Sequence, residues 1–122
     1  MSATPSKKQN ASLIRPRVYL GEGVSIGPGK IELLRAIAET HSITAAAKAL
    51  HIPYKRAWIL IDSLNQGFGH AVVETAAGGK GGGGSRLTPL GERLVACYQA
   101  LEDRINSAAA EELAAIQALA NA

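Results

Sequence analysis

The chain has 122 residues, the size of one domain, with 47% hydrophobic and 19% charged side chains and a net charge of +3. No apolar stretch approaches the roughly 18 residues that span a bilayer, and the lysines of MSATPSKKQN have no apolar run behind them, so neither a membrane partner nor a secretory signal is expected. The single cysteine, Cys97, excludes an internal disulfide and a cysteine-based zinc cluster and fits a reducing cytoplasm.

Residues 1–16 are expected to form a flexible basic arm, since they are polar and lack a core pattern. Arg17–Gly21 is a short strand candidate ended by its glycine, and Gly21–Gly29, with four glycines and a proline, is expected to be a loop. From Lys30, apolar residues at Ile31, Leu34, Ile37 and Ala38 have helical spacing and should end near Thr40–Ser42. A second, short helix follows, with Thr44 as the expected cap and Ala46, Ala47 and Leu50 on its buried face. His51-Ile52-Pro53 then interrupts the pattern, because a proline disfavours the helical region for the residue before it. Pro53 suits the first position of a third helix, running to about Asn65, with Ala57, Leu60, Ile61 and Leu64 on one stripe. Ala71–Thr75 and Arg86–Thr88 are strand candidates joined by GGKGGGGS, which reads as a hairpin with a flexible tip. Aromatics are only 4% and alanine occurs 22 times, so the core should be aliphatic and the chain mainly helical.

Thr88-Pro89 opens the last element as a cap and a first-turn proline. Leu90, Leu94, Tyr98, Leu101, Ile105, Ala109, Leu113, Ile116 and Ala120 follow at steps of three or four. An unbroken helix from Pro89 to Ala122 would have 34 residues and be about 50 Å long. A domain of this size has a radius of gyration of only about 13 Å, so much of that stripe needs another chain to cover it. A second copy is the simplest partner, which makes Leu94, Tyr98, Leu101, Ile105, Leu113 and Ile116 the expected dimer interface. Cys97 there reads as a small interface hydrophobe, with a redox-sensing thiol as the alternative if it is exposed beside a cation.

Charge is unevenly spread. Residues 1–86 carry 11 Lys and Arg against 5 acids, and residues 87–122 carry 2 against 5, which suggests a basic working face and an acidic tail. Within the basic part, SITAAAKALHIPYKRAWILIDSLN reads as two helices joined by a tight turn. Ala46 and Ala47 would let the helices cross closely and Ile52 would plug the turn. This is the helix-turn-helix pattern, whose second helix enters the major groove of double-stranded DNA; an ordinary helical hairpin is the alternative. The hairpin that follows adds a wing. The expected fold is therefore mainly α with a small β wing: a short strand, three helices, a two-stranded wing and a long dimerisation helix. The expected domains are 1–16, the basic arm; 17–88, the winged helix-turn-helix; and 89–122, the dimerisation helix.

Tyr54, Lys55 and Arg56 occupy the first turn of the recognition helix, the part that faces base edges. Arg56 is the best candidate for bidentate contact with guanine. Lys80 and Arg86 in the wing, and Lys48, are candidates for phosphate contacts. Trp58 either contacts DNA or seals the crevice between helix and wing. GGKGGGGS lacks the spacing of a phosphate-binding loop. His41, His51 and His70 fall in turns at spacings unrelated to metal binding. No arrangement suggests catalysis, so neither an enzyme nor any cofactor or metal is expected.

The stretches SITAAAKAL, IPYKRAW and VVETAAGGKGGGGSRLTPLGERL carry a resemblance. Over about Lys30–Leu101 the chain resembles the N-terminal DNA-binding domain of the molybdate-responsive regulator family ModE, itself similar to that of LysR-type regulators. The resemblance implies a dimeric, sequence-specific transcription regulator. Full-length members of that family continue into oxyanion-binding domains that bind molybdate, whereas this sequence stops at Ala122, so molybdate is not expected as a ligand of this chain. The tail AAAEELAAIQALANA reads as a helix fading out, which favours a one-domain relative over a chain cut at a domain boundary. Pro53 stands where the family more often has a serine cap. The rival reading is a protein-interaction module that forms mixed dimers with a full-length regulator and is not itself an active DNA binder.

Overall fold

The computed structural model of the protein describes residues 13–21, 23–76 and 84–122. Among them it contains five helices and two antiparallel hairpins. The chain divides into two compact units, Pro16–Tyr98 and the pair Met1–Arg15 with Gln99–Ala122. The basic arm expected over residues 1–16 lies outside the described residues as far as residue 12.

The first unit opens with a hairpin where a strand and a loop were expected. Strand β1 (Val18–Leu20) pairs with β2 (Val24–Ile26), in the register Val18↔Ile26, Tyr19↔Ser25 and Leu20↔Val24. Val24 and Ile26 alternate across Ser25 and are both buried, a period-two signal too short to stand out among four glycines. Gly21 and Gly23 take left-handed φ values of 55° and 96° and turn the chain between the strands.

Helix α1 (Pro28–Thr40) starts with its proline in the first turn. Ile31, Leu33, Leu34, Ala36 and Ile37 are buried, so the stripe is rotated from the expected one and Ala38 is exposed. His41 ends the helix at φ 59°, its N–H returning to Ile37 O at 2.8 Å. Helix α2 (Ile43–Ala49) is capped by Ser42, not by Thr44: Ser42 Oγ accepts Ala45 N–H at 3.0 Å. The cap must be the extended residue just outside the helix; Ser42 has φ −152° and ψ 124°, whereas Thr44 is already helical.

Helix α3 (Tyr54–Phe68) runs past the expected end at Asn65. Pro53 is its extended N-cap and not its first residue, and makes no side-chain cap bond. Gly67, a breaker by propensity, lies within the helix where β2 packs against it and leaves no room for a side chain: a Cβ there would come 2.6 Å from Val24. Ala46, Ala47 and Ala57 are essentially inaccessible, which lets α2 and α3 approach closely. Strands β3 (Val73–Thr75) and β4 (Ser85–Leu87) form the wing in the register Val73↔Leu87, Glu74↔Arg86 and Thr75↔Ser85. Ser85 N–H donates to His41 O at 2.9 Å, tying the wing to the end of α1.

Thr88 caps helix α4 (Pro89–Ala108): its Oγ1 accepts Gly91 N–H at 3.1 Å and donates to Ala71 O at 2.8 Å. The expected unbroken helix is interrupted at Ala109, with φ −102° and ψ 18°, before α5 (Ala110–Ala120). The backbone bonds continue across it, Ala109 N–H to Ile105 O at 3.0 Å and Leu113 N–H to Ala109 O at 2.9 Å. One turn earlier, the Asn106 side-chain amide donates to Glu102 O at 2.8 Å. The same side chain accepts Ile14 N–H at 2.7 Å and donates to Ile14 O at 2.9 Å.

The core is aliphatic and lies between Val24 and Tyr98. Tyr98 is its buried aromatic, with the hydroxyl donating to Pro16 O at 2.7 Å. Among the described residues no helix is long and apolar enough to cross a membrane.

Candidate nucleic-acid interface

Helix α3 is held by one face. Ala57, Ile61 and Leu64 are buried, and at 100° per residue the opposite side carries Lys55, Ile59, Asp62 and Gln66, all exposed. Ile59 keeps 49% of its surface open. Sequence reasoning missed it, although an isoleucine off the Ala57/Ile61/Leu64 stripe is itself a signal. An exposed apolar side chain there can meet a thymine methyl, and the Asp62 carboxylate can accept from a cytosine amine.

The two flanks of α3 differ. On one, Tyr54 and Trp58 stack edge-to-face with ring centroids 6.3 Å apart. Trp58 is half-buried and packs on the core, whereas Tyr54 is 53% exposed. Trp58 therefore anchors the more exposed Tyr54 ring. On the other flank Arg56 borders a cleft of about 610 Å³ with Arg17, Ser25, Lys30, Ile52 and Ser63. Lys30 Nζ donates to Ser25 O at 2.7 Å and to Ser63 Oγ at 3.0 Å, linking α1, β2 and α3. Burial, and then the Arg17 and Arg56 charges, hold the Lys30 ammonium below the ordinary lysine value. Sequence reading overlooked Lys30, because a lysine at the start of an amphipathic helix looks like a solvated one.

The remaining basic candidates are dispersed. Lys48 is exposed in the last turn of α2. Arg86 Nε lies 3.0 Å from Glu74 Oε2 across the wing, so its charge is shared with a carboxylate. Lys80 lies outside the described residues. His41, His51 and His70 are exposed, and the described residues include no group of three His, Cys, Asp or Glu able to hold a metal.

Of the residues read as a dimer interface, Tyr98 is placed elsewhere: it is 4% exposed in the core of its own chain and has little surface to offer a second one. Leu94 is half-buried and packs on the same core. Ile105 and Leu113 are half-exposed, and Leu101 and Ile116 are 37% and 60% exposed. Leu119, which the spacing argument did not single out, is 76% exposed. Cys97 is exposed.

Comparison with known proteins fits this geometry. The family of bacterial regulatory helix-turn-helix proteins of the lysR type matches residues 29–92. The chain is 45% identical over 80 residues to the molybdenum-pterin-binding protein MopB of Rhodobacter capsulatus, covering 66% of this chain and 30% of that protein. It is 49% identical over 74 residues to the DNA-binding transcriptional dual regulator ModE of Escherichia coli (strain K12), covering 61% of this chain and 28% of that one. The chain thus spans under a third of the length of these relatives. In fold it is similar to the DNA-binding domain of CbnR in its DNA complex, with a TM-score of 0.56 at 20% identity over 72% of this chain and 95% of that one. It is likewise similar to CbnR, a LysR family transcriptional regulator, with a TM-score of 0.53 at 19% identity over 69% of this chain and 27% of that one.

Proposed function

Since the chain belongs to the lysR family of bacterial regulatory helix-turn-helix proteins, we propose that it is a sequence-specific DNA-binding transcription regulator, acting in the cytoplasm as a homodimer on a two-fold-related site. One observation carries the reading: α3 buries Ala57, Ile61 and Leu64 while its first turn, Tyr54, Lys55 and Arg56, stays exposed. Such a helix is rigidly mounted and free on the side that would enter a major groove. Lys55 and Ile59 read base edges, with Tyr54 and Trp58 against the sugar–phosphate backbone. Lys48, Arg86 and Lys80 reach phosphates on either side.

The homodimer rests on the acidic C-terminal helices, where Leu101, Ile116 and Leu119 are exposed and Ile105 and Leu113 are half-exposed. A single helix pair cannot bury such a stripe without a partner. The identity to ModE supports a role in molybdenum-related gene control. Selection of bound duplexes from a random pool, followed by a salt titration on the selected site, tests the proposal. The expected outcome is a palindromic motif and a steep fall of affinity with salt, as phosphate contacts release counterions. No enrichment and no salt dependence would favour the mixed-dimer module instead.

A further inference from the structure

Arg17, Lys30 and Arg56 are far apart in sequence, on the run into β1, on α1 and on α3, yet they border one cleft. Like charges brought together cost energy, and none of the three has a carboxylate partner among the described residues. Glu32, on the same cleft, has its ion pair with Arg35 at 3.0 Å. Two of the three, Arg17 and Lys30, are nevertheless placed by uncharged groups. The Arg17 guanidinium lies over Gly27, so closely that a Cβ there would come 2.9 Å from its central carbon. Its Nη1 lies 3.5 Å from Ser25 Oγ. Lys30 spends two donors on Ser25 O and Ser63 Oγ, and an ammonium has three.

We propose that Arg17, Lys30 and Arg56 form a receptor for one phosphate-type oxyanion on the flank of α3, outside the wing and the outward face of the recognition helix. The anion would neutralise the clustered charge and accept the remaining Lys30 proton together with guanidinium N–H groups. Because Arg56 stands in the first turn of α3, a phosphate bordering the groove that α3 enters is the fitting occupant when DNA is bound. To that extent the inference rests on the DNA-binding reading. Free inorganic phosphate has the same chemistry, and the test separates the two sources. The site also changes the expected role of Arg56 from reading a guanine to gripping a phosphate.

The test uses the full chain with Arg17→Gln, Lys30→Gln and Arg56→Gln, and Arg93→Gln on exposed α4 surface as a control. In the first arm, duplex affinity is measured against salt. Each cleft variant is expected to weaken selected and random duplexes by the same factor, several-fold, and to reduce the salt slope by about 1. In the second arm, inorganic phosphate is titrated at constant ionic strength while the amide resonances of Gly29 and Lys30 are followed. A saturable shift that Arg17→Gln abolishes and Arg93→Gln retains assigns the site to free oxyanion if the DNA slope is unchanged, and to both sources if the slope also falls. A reduced slope without phosphate shifts assigns it to the DNA backbone. Lys30→Gln also removes the bonds to Ser25 and Ser63, so Arg17→Gln, at an exposed position, carries the decision. The proposal is overturned if Arg17→Gln changes neither the slope nor the phosphate shifts, and Arg56 leaves the receptor if its loss relaxes specificity at a single base pair only. If the wild-type chain binds no duplex even at low salt, the DNA-binding reading falls, and the phosphate arm still decides the cleft.

Discussion

The unit Pro16–Tyr98 and the helices of Gln99–Ala122 solve the burial problem in opposite ways. In the first, Ile31, Leu34, Ile37, Ala46, Ala57, Ile61, Leu64 and Val72 are all essentially inaccessible. In the second no described side chain is buried, and Ile116 and Leu119 expose more than half of their surface. A region with its own core can hold α3 rigidly enough to present particular atoms to a ligand. A region without one gains its stability from whatever covers it. Under the proposed function, the contrast assigns reading DNA and pairing chains to separate parts of the molecule.

Cutting the chain after Leu101 probes the contrast most strongly. The Pro16–Tyr98 core should stay folded by circular dichroism, the protein should sediment as a monomer, and affinity for a palindromic site should fall at least about a hundredfold as the two half-sites are no longer bound together. A truncated protein that still sediments as a dimer would place the interface elsewhere.

A pair of point changes draws the same line more finely. Leu34→Ala removes a fully buried side chain and should lower unfolding stability by about 2–5 kcal/mol. Ile116→Asp should leave the melting of the DNA-binding unit unchanged while shifting sedimentation toward monomer. Equal effects of the two on thermal unfolding would mean that the regions are not energetically distinct. Gly67→Ala sets a Cβ against Val24 and should cost about 1–3 kcal/mol in denaturant titrations, as overpacking does.

Smaller effects are expected at the wing and the turn. Lys80→Ala should weaken all duplexes alike and lower the salt slope by about 1. Arg86→Ala should do less, since Glu74 already shares its charge; the ion pair itself, being exposed, contributes only about 0–1 kcal/mol to folding. An Arg86 effect as large as that of Lys80 would show that the pair opens on DNA. At His51, φ is 58°, a left-handed conformation that disfavours any residue with a Cβ. His51→Gly should therefore raise the unfolding free energy by up to about 1 kcal/mol without altering the selected motif.

The helices were legible in the sequence because long amphipathic stripes report themselves: the Ala46/Ala47 pair, the Ala57/Ile61/Leu64 face and the steps from Leu90 onward, which gave no sign of the break at Ala109. The first turn of α3 was legible too, since Pro53 marks where the helix can begin. Features depending on contacts between distant residues were not. Strand β2 is three residues among glycines and is recognisable only once Val18–Leu20 lies beside it. Ser42 and Thr44 are equally good caps by residue type, and only the backbone angles separate them. Tyr98 keeps the heptad-like spacing of an interface residue, yet its hydroxyl finds Pro16 O and its ring joins the core. Spacing states which residues share a helix face, and the rest of the chain decides how far along the helix that face is already covered. The cluster of Arg17, Lys30 and Arg56 shows the same limit: local pattern sets the composition of each element, while the meeting of three charges from separate elements depends on how those elements pack.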